Sequence, residues 1–398
     1  MVRVHIVHVV PFISQRAGGP ATFVTQLAPR LESLGTTSKI LATNLGQVPS
    51  SGEWRLLTED EMPPNADELD LELFDVAFPR RLARSPLMAR RLDHAVAEAD
   101  LVHIHSLWLH PQYAGQRAAR KHGVPFVVSP HGALDPYLRK HGRPQKLVSS
   151  LTWQNGMFNA ASAIHVTTDE ELGYVSDVAP SVPRAVIPIG IETEALAAGG
   201  DATRFREKHL GGRSGEIVFF LGRLTYKKGI DVLIRAFAHV ADRIPSASLV
   251  IAGPDDEGLL PGFESLVESL GLAERVIFVG PVYGQDRDDA LAAADVWALT
   301  SHTENFGIAV LEALGAGRPV VVSTGVNLAT TIREHDAGVV TKLDPVAAGN
   351  AIRELLEDDD RRALIATRAV ALAREFDWTR IAPRFNDFYR ATAGHLAN

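Results

Sequence analysis

Residues 301–319 read SHTENFGIAVLEALGAGRP, and the reading of this stretch decides the fold. An apolar run over 294–299 precedes it and another over 319–322 follows, so the pattern predicts strand, loop, short helix, strand. Glu304 and Glu312 stand eight positions apart. If the helix begins near Phe306 or Gly307, Glu304 lies in the loop before it, and Glu312 lies about one and a half turns inside at roughly 3.6 residues per turn. Both carboxylates can then face one ligand lying across the helix start, where unpaired peptide N–H groups favour negative charge. An isolated glutamate is ordinarily a solvated surface group. Glu312, however, sits among Ala309, Val310, Leu311, Ala313 and Leu314 on a helix apolar nearly all round, and a carboxylate there requires a partner.

Working outward, 398 residues are long for one core and suit two domains. A composition of 46% hydrophobic and 22% charged residues describes a soluble globular protein. The formal net charge of −8 offers no broad footprint for nucleic acid. The absence of cysteine removes disulfides, thiolate nucleophiles and cysteine-bound zinc, and fits a reducing cytoplasm. The N-terminal run MVRVHIVHVV alternates and breaks at Pro11, which predicts a first strand and not a signal peptide. No apolar run approaches the roughly 20 residues that span a bilayer. Any membrane contact, at the inner face, is therefore expected to be peripheral.

Gly18-Gly19-Pro20 follows the first strand and precedes a helical pattern through Phe23, Leu27 and Leu31. The glycine pair is either an ordinary turn or a place where backbone approaches a ligand; the dinucleotide fingerprint Gly-x-Gly-x-x-Gly is absent. Residues 46–78, polar and acidic, are expected to form a long loop with a poorly formed helix. Pro79, Arg80, Arg81, Arg84, Arg90 and Arg91 form either a solvated helix face or a surface for anionic lipid or an acidic acceptor. From Asp100 strands and helices alternate, as in right-handed crossovers of a parallel sheet. His103 and His105 share one strand face without an evident third metal ligand. His131 lies just past a strand's carboxyl end, where such sheets bind ligands, and stands open between site and scaffold. A helical pattern over 146–158 follows. Residues 195–215 lack a core pattern and are expected to connect the domains.

The second half restarts with the apolar run 217–221, then Gly222-Arg223-Leu224-Thr225-Tyr226-Lys227-Lys228-Gly229. A glycine-flanked loop bearing Arg and Lys after a strand suits phosphate, although the spacing is not that of a P-loop. Arg223 and Lys228 for charge, with carboxylates accepting from hydroxyls, make a site for a ligand such as a sugar nucleotide or another phosphorylated polyol. The acidic run 358–360 reads as a helix end and not a metal motif.

With these residues laid out, the chain resembles the retaining glycosyltransferases of the group 1, or family 4, type over nearly its whole length. The resemblance rests on Glu304 to Glu312 as a Glu-x7-Glu motif with Phe306-Gly307, on Gly222-Arg223 with Lys228-Gly229, on Gly18-Gly19-Pro20, on Ser129-Pro130-His131-Gly132, and on Pro188-Ile189-Gly190-Ile191-Glu192. It implies an α/β fold of GT-B type, with two Rossmann-like domains whose parallel sheets face across a cleft that closes over the donor. The domain limits expected are 1–194 and 195–377, with a C-terminal helix at about 378–398 packing back on the first domain.

The resemblance also implies site roles. Arg223 and Lys228 neutralise the leaving diphosphate in place of a metal, so no metal and no cofactor are expected. Glu312 binds the ribose, and Glu304 the donor sugar. The amides of Phe306, Gly307 and Ile308 help hold sugar and phosphate. His131 lies over the sugar, Gly18 and Gly19 contribute near the diphosphate, and Val282 lies where the base rests. The implied partners are a nucleotide sugar donor and a sugar or glycoside acceptor, in a setting such as polysaccharide biosynthesis. Glu192 departs from the commoner aspartate of the motif. Other readings are a GT-B-fold epimerase or hydrolase of sugar nucleotides, an inactive sugar-nucleotide-binding protein, and a Rossmann dehydrogenase disfavoured by the missing glycine fingerprint.

Overall fold

The computed structural model describes residues 3–15, 18–46, 55–78, 80–136 and 153–394. Two compact units emerge. One runs to Gly190 and is rejoined by the chain from Trp378; the other spans Ile191–Asp377.

The first unit holds β1 Val4–Phe12, β2 Thr36–Thr43, β3 Asp70–Phe74, β4 Leu101–His105, β5 Phe126–Ser129, β6 Ala163–Val166 and β7 Arg184–Val186. They form a parallel sheet of order β3-β2-β1-β4-β5-β6-β7. The second unit holds β8 Ile217–Leu221, β9 Ser248–Ala252, β10 Val276–Gly280, β11 Val296–Leu299, β12 Val320–Ser323 and β13 Gly338–Thr341. Their order, again parallel, is β10-β9-β8-β11-β12-β13. The central strands are covered on both faces, so they are written as unbroken apolar runs; β8 buries Ile217, Val218, Phe219 and Phe220.

In each sheet the strand order reverses beside its first strand, between β1 and β4 and between β8 and β11. Doubly wound sheets bind ligands at the carboxyl ends of the strands flanking that reversal. Gly18 follows β1, His131 follows β5, Lys228 follows β8 and Glu304 follows β11.

Several expectations are corrected. Pro11 does not end the first strand: β1 continues to Phe12, with a register shift between Val10 and Phe12 that accommodates a residue lacking an N–H. Within 46–78, of which 47–54 lie outside the described residues, Asp70–Phe74 is an edge strand paired with β2. Residues 195–215 form two short helices of the second unit, Thr193–Ala198 and Ala202–Leu210. They are held by buried Leu196, Phe205 and Leu210 and by an Asp201 N-cap that accepts from the Arg204 amide. The acidic run 358–360 does lie at a helix end, as expected: Asp358 follows the helix Pro345–Glu357 and caps the next one by accepting from the Arg361 amide at 2.8 Å. Of the pattern over 146–158, residues 146–152 lie outside the described residues, and a helix spans Asn155–Ala160. The basic run contains the helix Pro86–Ala97, capped by Ser85; Pro79 lies outside the described residues.

The last helix, Trp378–Thr392, buries Trp378, Ile381, Phe385 and Tyr389 at helical spacing within the first unit. Trp378 Nε1 donates to Gln26 Oε1 at 2.9 Å, and Thr36 Oγ1 donates to Asn386 Oδ1 at 2.7 Å.

Candidate active site

In the second unit the loop after β8 is tied by its backbone to the loop after β11. Gly229, at φ 59°, approaches so closely that a Cβ there would lie 2.0 Å from the Thr300 carbonyl oxygen. Thr300 Oγ1 donates to Gly229 O at 2.7 Å, and both Ser301 Oγ and the His302 amide donate to Lys227 O, at 2.8 and 2.7 Å. The Tyr226 and His302 rings stack at 5.2 Å. These ties bring Lys228 Nζ onto Glu304 Oε2 as an ion pair.

Burial pushes the Glu304 carboxyl up, but Lys228, Lys227 and Arg223 outweigh it and hold the group at about 2. Glu304 is thus a carboxylate at any physiological pH, ready to accept hydrogen bonds. Arg223 is half-buried, and its guanidinium has no ion-pair partner among the described residues. A cation beside an already neutralised pair is the arrangement an anionic ligand completes.

The helix begins at Ile308, with Gly307 as its N-cap in the left-handed region at φ 81°. A Cβ on Gly307 would stand 3.0 Å from Val310 Cγ2 and 3.3 Å from Glu304 Cγ. Phe306 is buried and faces Phe376, with ring centroids 6.1 Å apart. The first-turn amides of Ile308 and Ala309 lie where a helix supplies no intrahelical acceptor. Glu312 is the fifth residue of this helix, about one turn in. Its partner is Arg287, whose Nη1 donates to Glu312 Oε1 at 2.8 Å while Nη2 donates to Asp288 Oδ1 at 2.7 Å. Burial raises the Glu312 carboxyl, and Arg287 offsets this only in part. Val282 is buried just before the helix Gly284–Ala293 that carries Arg287.

In the first unit Gly18, at φ 83°, caps the helix Gly19–Ser33, and a Cβ on it would meet nothing within 4 Å. His131 is itself left-handed at φ 52°, in a turn braced by buried Glu171, which accepts from the Gly132 amide at 2.5 Å and from the Thr167 amide at 2.9 Å. Burial, with His165 adding, pushes His131 down to about 3, so the ring is neutral. Its Nε2 lies 3.0 Å from His105 Nδ1, and His105 Nε2 lies 3.1 Å from His8 Nδ1.

The third ligand that the His103–His105 pair lacks in sequence is therefore present in space: His8, His103 and His105 each bring one nitrogen within 4.8 Å of the others. The donor set is nevertheless engaged within the protein. His103 Nδ1 lies 2.7 Å from Tyr389 Oη and its Nε2 lies 2.6 Å from Ser129 Oγ, while both His105 nitrogens face other histidines. With both ring nitrogens of His103 and of His105 already facing partners, the cluster reads as a hydrogen-bonded network.

The structure thus joins Lys228 to Glu304 with Arg223 acting on it, carries Phe306, Gly307, Ile308 and Glu312 at and inside the helix start that follows, and sets Val282 before the helix whose Arg287 reaches Glu312, all in the second unit, while Gly18, Gly19 and His131 lie in the first. Sequence reasoning missed Arg287, Glu171 and His8. Arg287 carried no signal beyond being one arginine on a polar helix; Glu171 lay in view as part of an acidic helix start. His8 shares the strand alternation of the His103–His105 pair and is register-paired with His103.

Two doubly wound parallel-sheet units, the second with a cationic loop and two glutamates paired to cations, have the α/β architecture of the GT-B type. Solved structures agree on the fold. Anabaena HepE, crystallised with UDP and glucose, matches at a TM-score of 0.79 and 19% identity, covering 98% of this chain and 100% of that one. Sucrose-phosphate synthase from Thermosynechococcus elongatus matches at 0.77 and 20%, covering 99% and 100%. By sequence, residues 201–370 match glycosyl transferases group 1 and residues 18–190 match the glycosyl transferase 4-like domain. D-inositol 3-phosphate glycosyltransferase of Salinispora tropica is 30% identical over 414 residues, covering 95% of this chain and 82% of the relative. The enzyme so named from Corynebacterium urealyticum is 29% identical, covering 94% and 91%. The chain belongs to the group 1, family 4 glycosyltransferases, and it is a transferase enzyme.

Proposed function

We propose that this enzyme moves a sugar from a nucleotide-diphosphate sugar to a hydroxyl acceptor, with retention at the anomeric carbon and without a metal. The observation that carries the reading is the buried Lys228–Glu304 pair with half-buried Arg223 beside it at the ends of β8 and β11. Lys228 and Arg223 supply the charge that a metal would bring to the diphosphate, and stabilising that group as it leaves is a large part of the rate enhancement. Glu304, held ionised, accepts from donor-sugar hydroxyls, and Glu312 accepts from the ribose while Arg287 orients it. The first-turn amides after Gly307 donate to the anionic part of the ligand. As the bond from the anomeric carbon to phosphate oxygen breaks, the bond to the acceptor oxygen forms on the same face. The acceptor's proton passes to the departing phosphate. The roles drawn from the resemblance for His131, Gly18, Gly19 and Val282 belong to the same proposal.

The relatives named as D-inositol 3-phosphate glycosyltransferases make a phosphorylated cyclitol the first acceptor to try, and the structures with UDP and UDP-glucose make UDP-sugars the first donors. The experiment is a thermal-shift panel of UDP-, GDP- and ADP-sugars followed by transfer assays. The right donor at a hundred times its dissociation constant stabilises the fold by about 2.7 kcal/mol. Product formed without acceptor would favour an epimerase or hydrolase instead; binding without turnover would favour a sugar-nucleotide-binding protein.

Peripheral contact with an anionic membrane is a second part of the proposal. Among the described residues no helix is long and apolar enough to cross a membrane. Phe78 is 90% exposed and Leu87 56%, and Arg80, Arg81, Arg84 and Arg90 are exposed along the same stretch of chain. Apolar side chains set among cations suit the interface of an anionic bilayer.

A further inference from the structure

The guanidinium of Arg287 is shared between two carboxylates of the second unit. Its Nε and Nη2 donate to Asp288 Oδ1 at 3.0 and 2.7 Å, and its Nη1 donates to Glu312 Oε1 at 2.8 Å. All three side chains are mostly shielded from water. Glu312 Oε2 takes no hydrogen bond among the described residues and is not among the buried unpartnered atoms, so it stands open.

Neighbours i and i+1 on a helix do not ordinarily face each other, so Arg287 must turn aside to reach Asp288. The backbone under this contact is braced from the segment before β8. A Cβ on Gly200 would stand 2.2 Å from the carbonyl carbon of Asp288. The next residue, Asp289, is buried and accepts from the Asp201 amide at 2.8 Å and from Arg204. The helix Gly284–Ala293 is therefore held at the point where Arg287 leaves it.

Arginine binds a carboxylate most strongly with two parallel N–H bonds, one to each oxygen. Such a fork laid on Glu312 would occupy both of its oxygens. Asp288 prevents this by taking Nε and Nη2. The outcome is a carboxylate neutralised through one oxygen and open at the other.

We infer that Asp288 is a positioning residue that holds Arg287 to a single bond with Glu312 and so keeps Glu312 Oε2 available to a ribose hydroxyl of the donor. That the occupant is a ribose rests on the proposed function; the restraint on Arg287 does not. Through Glu312, and without contact of its own, Asp288 then decides how strongly the site prefers a ribonucleotide.

The test is calorimetric titration of the full chain with UDP, GDP and ADP, each beside its dideoxy analogue, which lacks both ribose hydroxyls. Wild type should prefer the ribonucleotide of at least one pair by about tenfold or more, the size of a hydrogen bond to a charged group. Asp288→Ala should lower ribonucleotide affinity about tenfold and leave the dideoxy affinity unchanged, which removes the preference. Asp288→Asn should restore it, because both bonds from Arg287 fall on one oxygen and an amide carbonyl can accept them. A preference kept in Asp288→Ala, an equal loss for both nucleotides, or no recovery in Asp288→Asn would overturn the inference. A ligand-free readout is the NMR titration of the Glu312 carboxyl carbon, assigned with Glu312→Gln. Both substitutions remove the charge of Asp288 but only alanine frees the fork, so Glu312 should titrate lower in Asp288→Ala than in Asp288→Asn. Equal values would likewise overturn the inference. Wild type that prefers no ribonucleotide over its dideoxy analogue would sink the ribose assignment of the proposed function, and the carboxyl titration would then decide the restraint on Arg287 by itself.

Discussion

Lys228 Nζ and Glu304 Oε2 are joined as an ion pair across 76 positions of sequence, with only 13% and 12% of their side chains exposed. Pairing at such a depth requires both loops to be held by their backbones, and the bonds from Thr300, Ser301 and His302 to the 227–229 turn do this.

From this pair the first prediction follows. Lys228→Ala and Glu304→Ala should each lower turnover at least about a hundredfold, because each removes charge or hydrogen bonding from the donor as the diphosphate leaves. Cooperative unfolding should persist in both, and near-wild-type rates in both would refute the site. Glu304 also sets a pH test. Its carboxyl falls from an ordinary 4.5 to about 2 in the fold, so its stabilising contribution is complete above 4.5 and is lost as pH falls through about 2. The stability gap between wild type and Glu304→Gln should be flat above that window and shrink within it, as read by urea unfolding at a series of pH values.

Glu312 behaves in the opposite sense. Burial raises its carboxyl, so the folded state binds its proton more tightly and stability falls as pH rises from the unfolded value through the folded one. Glu312→Gln should therefore raise Tm at neutral pH while weakening donor binding, measured by calorimetric titration with the donor that the thermal-shift panel selects. Arg287→Met should instead lower Tm and also weaken donor binding, because Glu312 loses the group that orients it. It leaves the carboxylate without its partner, a loss of about 3–5 kcal/mol for a buried pair broken on one side.

Binding to membranes can be separated from catalysis. Wild-type protein should sediment with anionic vesicles and not with neutral ones, and salt should release it because screening acts over about 8 Å at physiological ionic strength. Phe78→Ser with Arg80→Glu and Arg81→Glu should abolish sedimentation and leave transfer to a soluble acceptor intact. Equal vesicle binding by this variant would refute the surface.

The C-terminal helix should prove integral to the first unit. A Cβ on Gly190 would stand 2.3 Å from Trp378 Cδ2, so Gly190→Ala should destabilise through overpacking, by about 1–3 kcal/mol. Trp378→Ala should cost about 3–5 kcal/mol through the cavity it leaves. Urea unfolding measures both, and values near zero would mean the helix is dispensable.

Much of this architecture is legible in the chain because parallel strands covered on both faces are written as continuous apolar runs, as at 217–221 and 320–322. The misread segments are those where that rule fails. Asp70–Phe74 is an edge strand in which none of the five residues is fully buried and Glu72 is paired with Lys39 and Arg91, so it has no such run. The helices at Thr193–Ala198 and Ala202–Leu210 bury only Thr193, Leu196, Phe205 and Leu210, too thin a stripe to stand out among glycine, alanine and charge. Glu304, Glu312, Arg223 and Lys228 were visible because the loops that carry them have a distinctive glycine spacing. Arg287 and His8 were not.

By itself, the sequence determined which side chains are available and on which loops, since strand, glycine turn and helix start are local patterns that the backbone must obey. Only the tertiary structure decided which of them meet. Arg287 reaches Glu312 because a neighbouring helix delivers it, and His8 reaches His105 because β1 and β4 lie side by side in register. In the stretch 301–319 the spacing of Glu304 and Glu312 was present from the start, but their charge states are opposite in tendency. Burial acts alike on both, and the cations around each, Lys228 with Lys227 and Arg223 for one and Arg287 alone for the other, decide the balance. Those cations come from other parts of the chain, and electrostatic interaction depends on distance in space and not along the sequence.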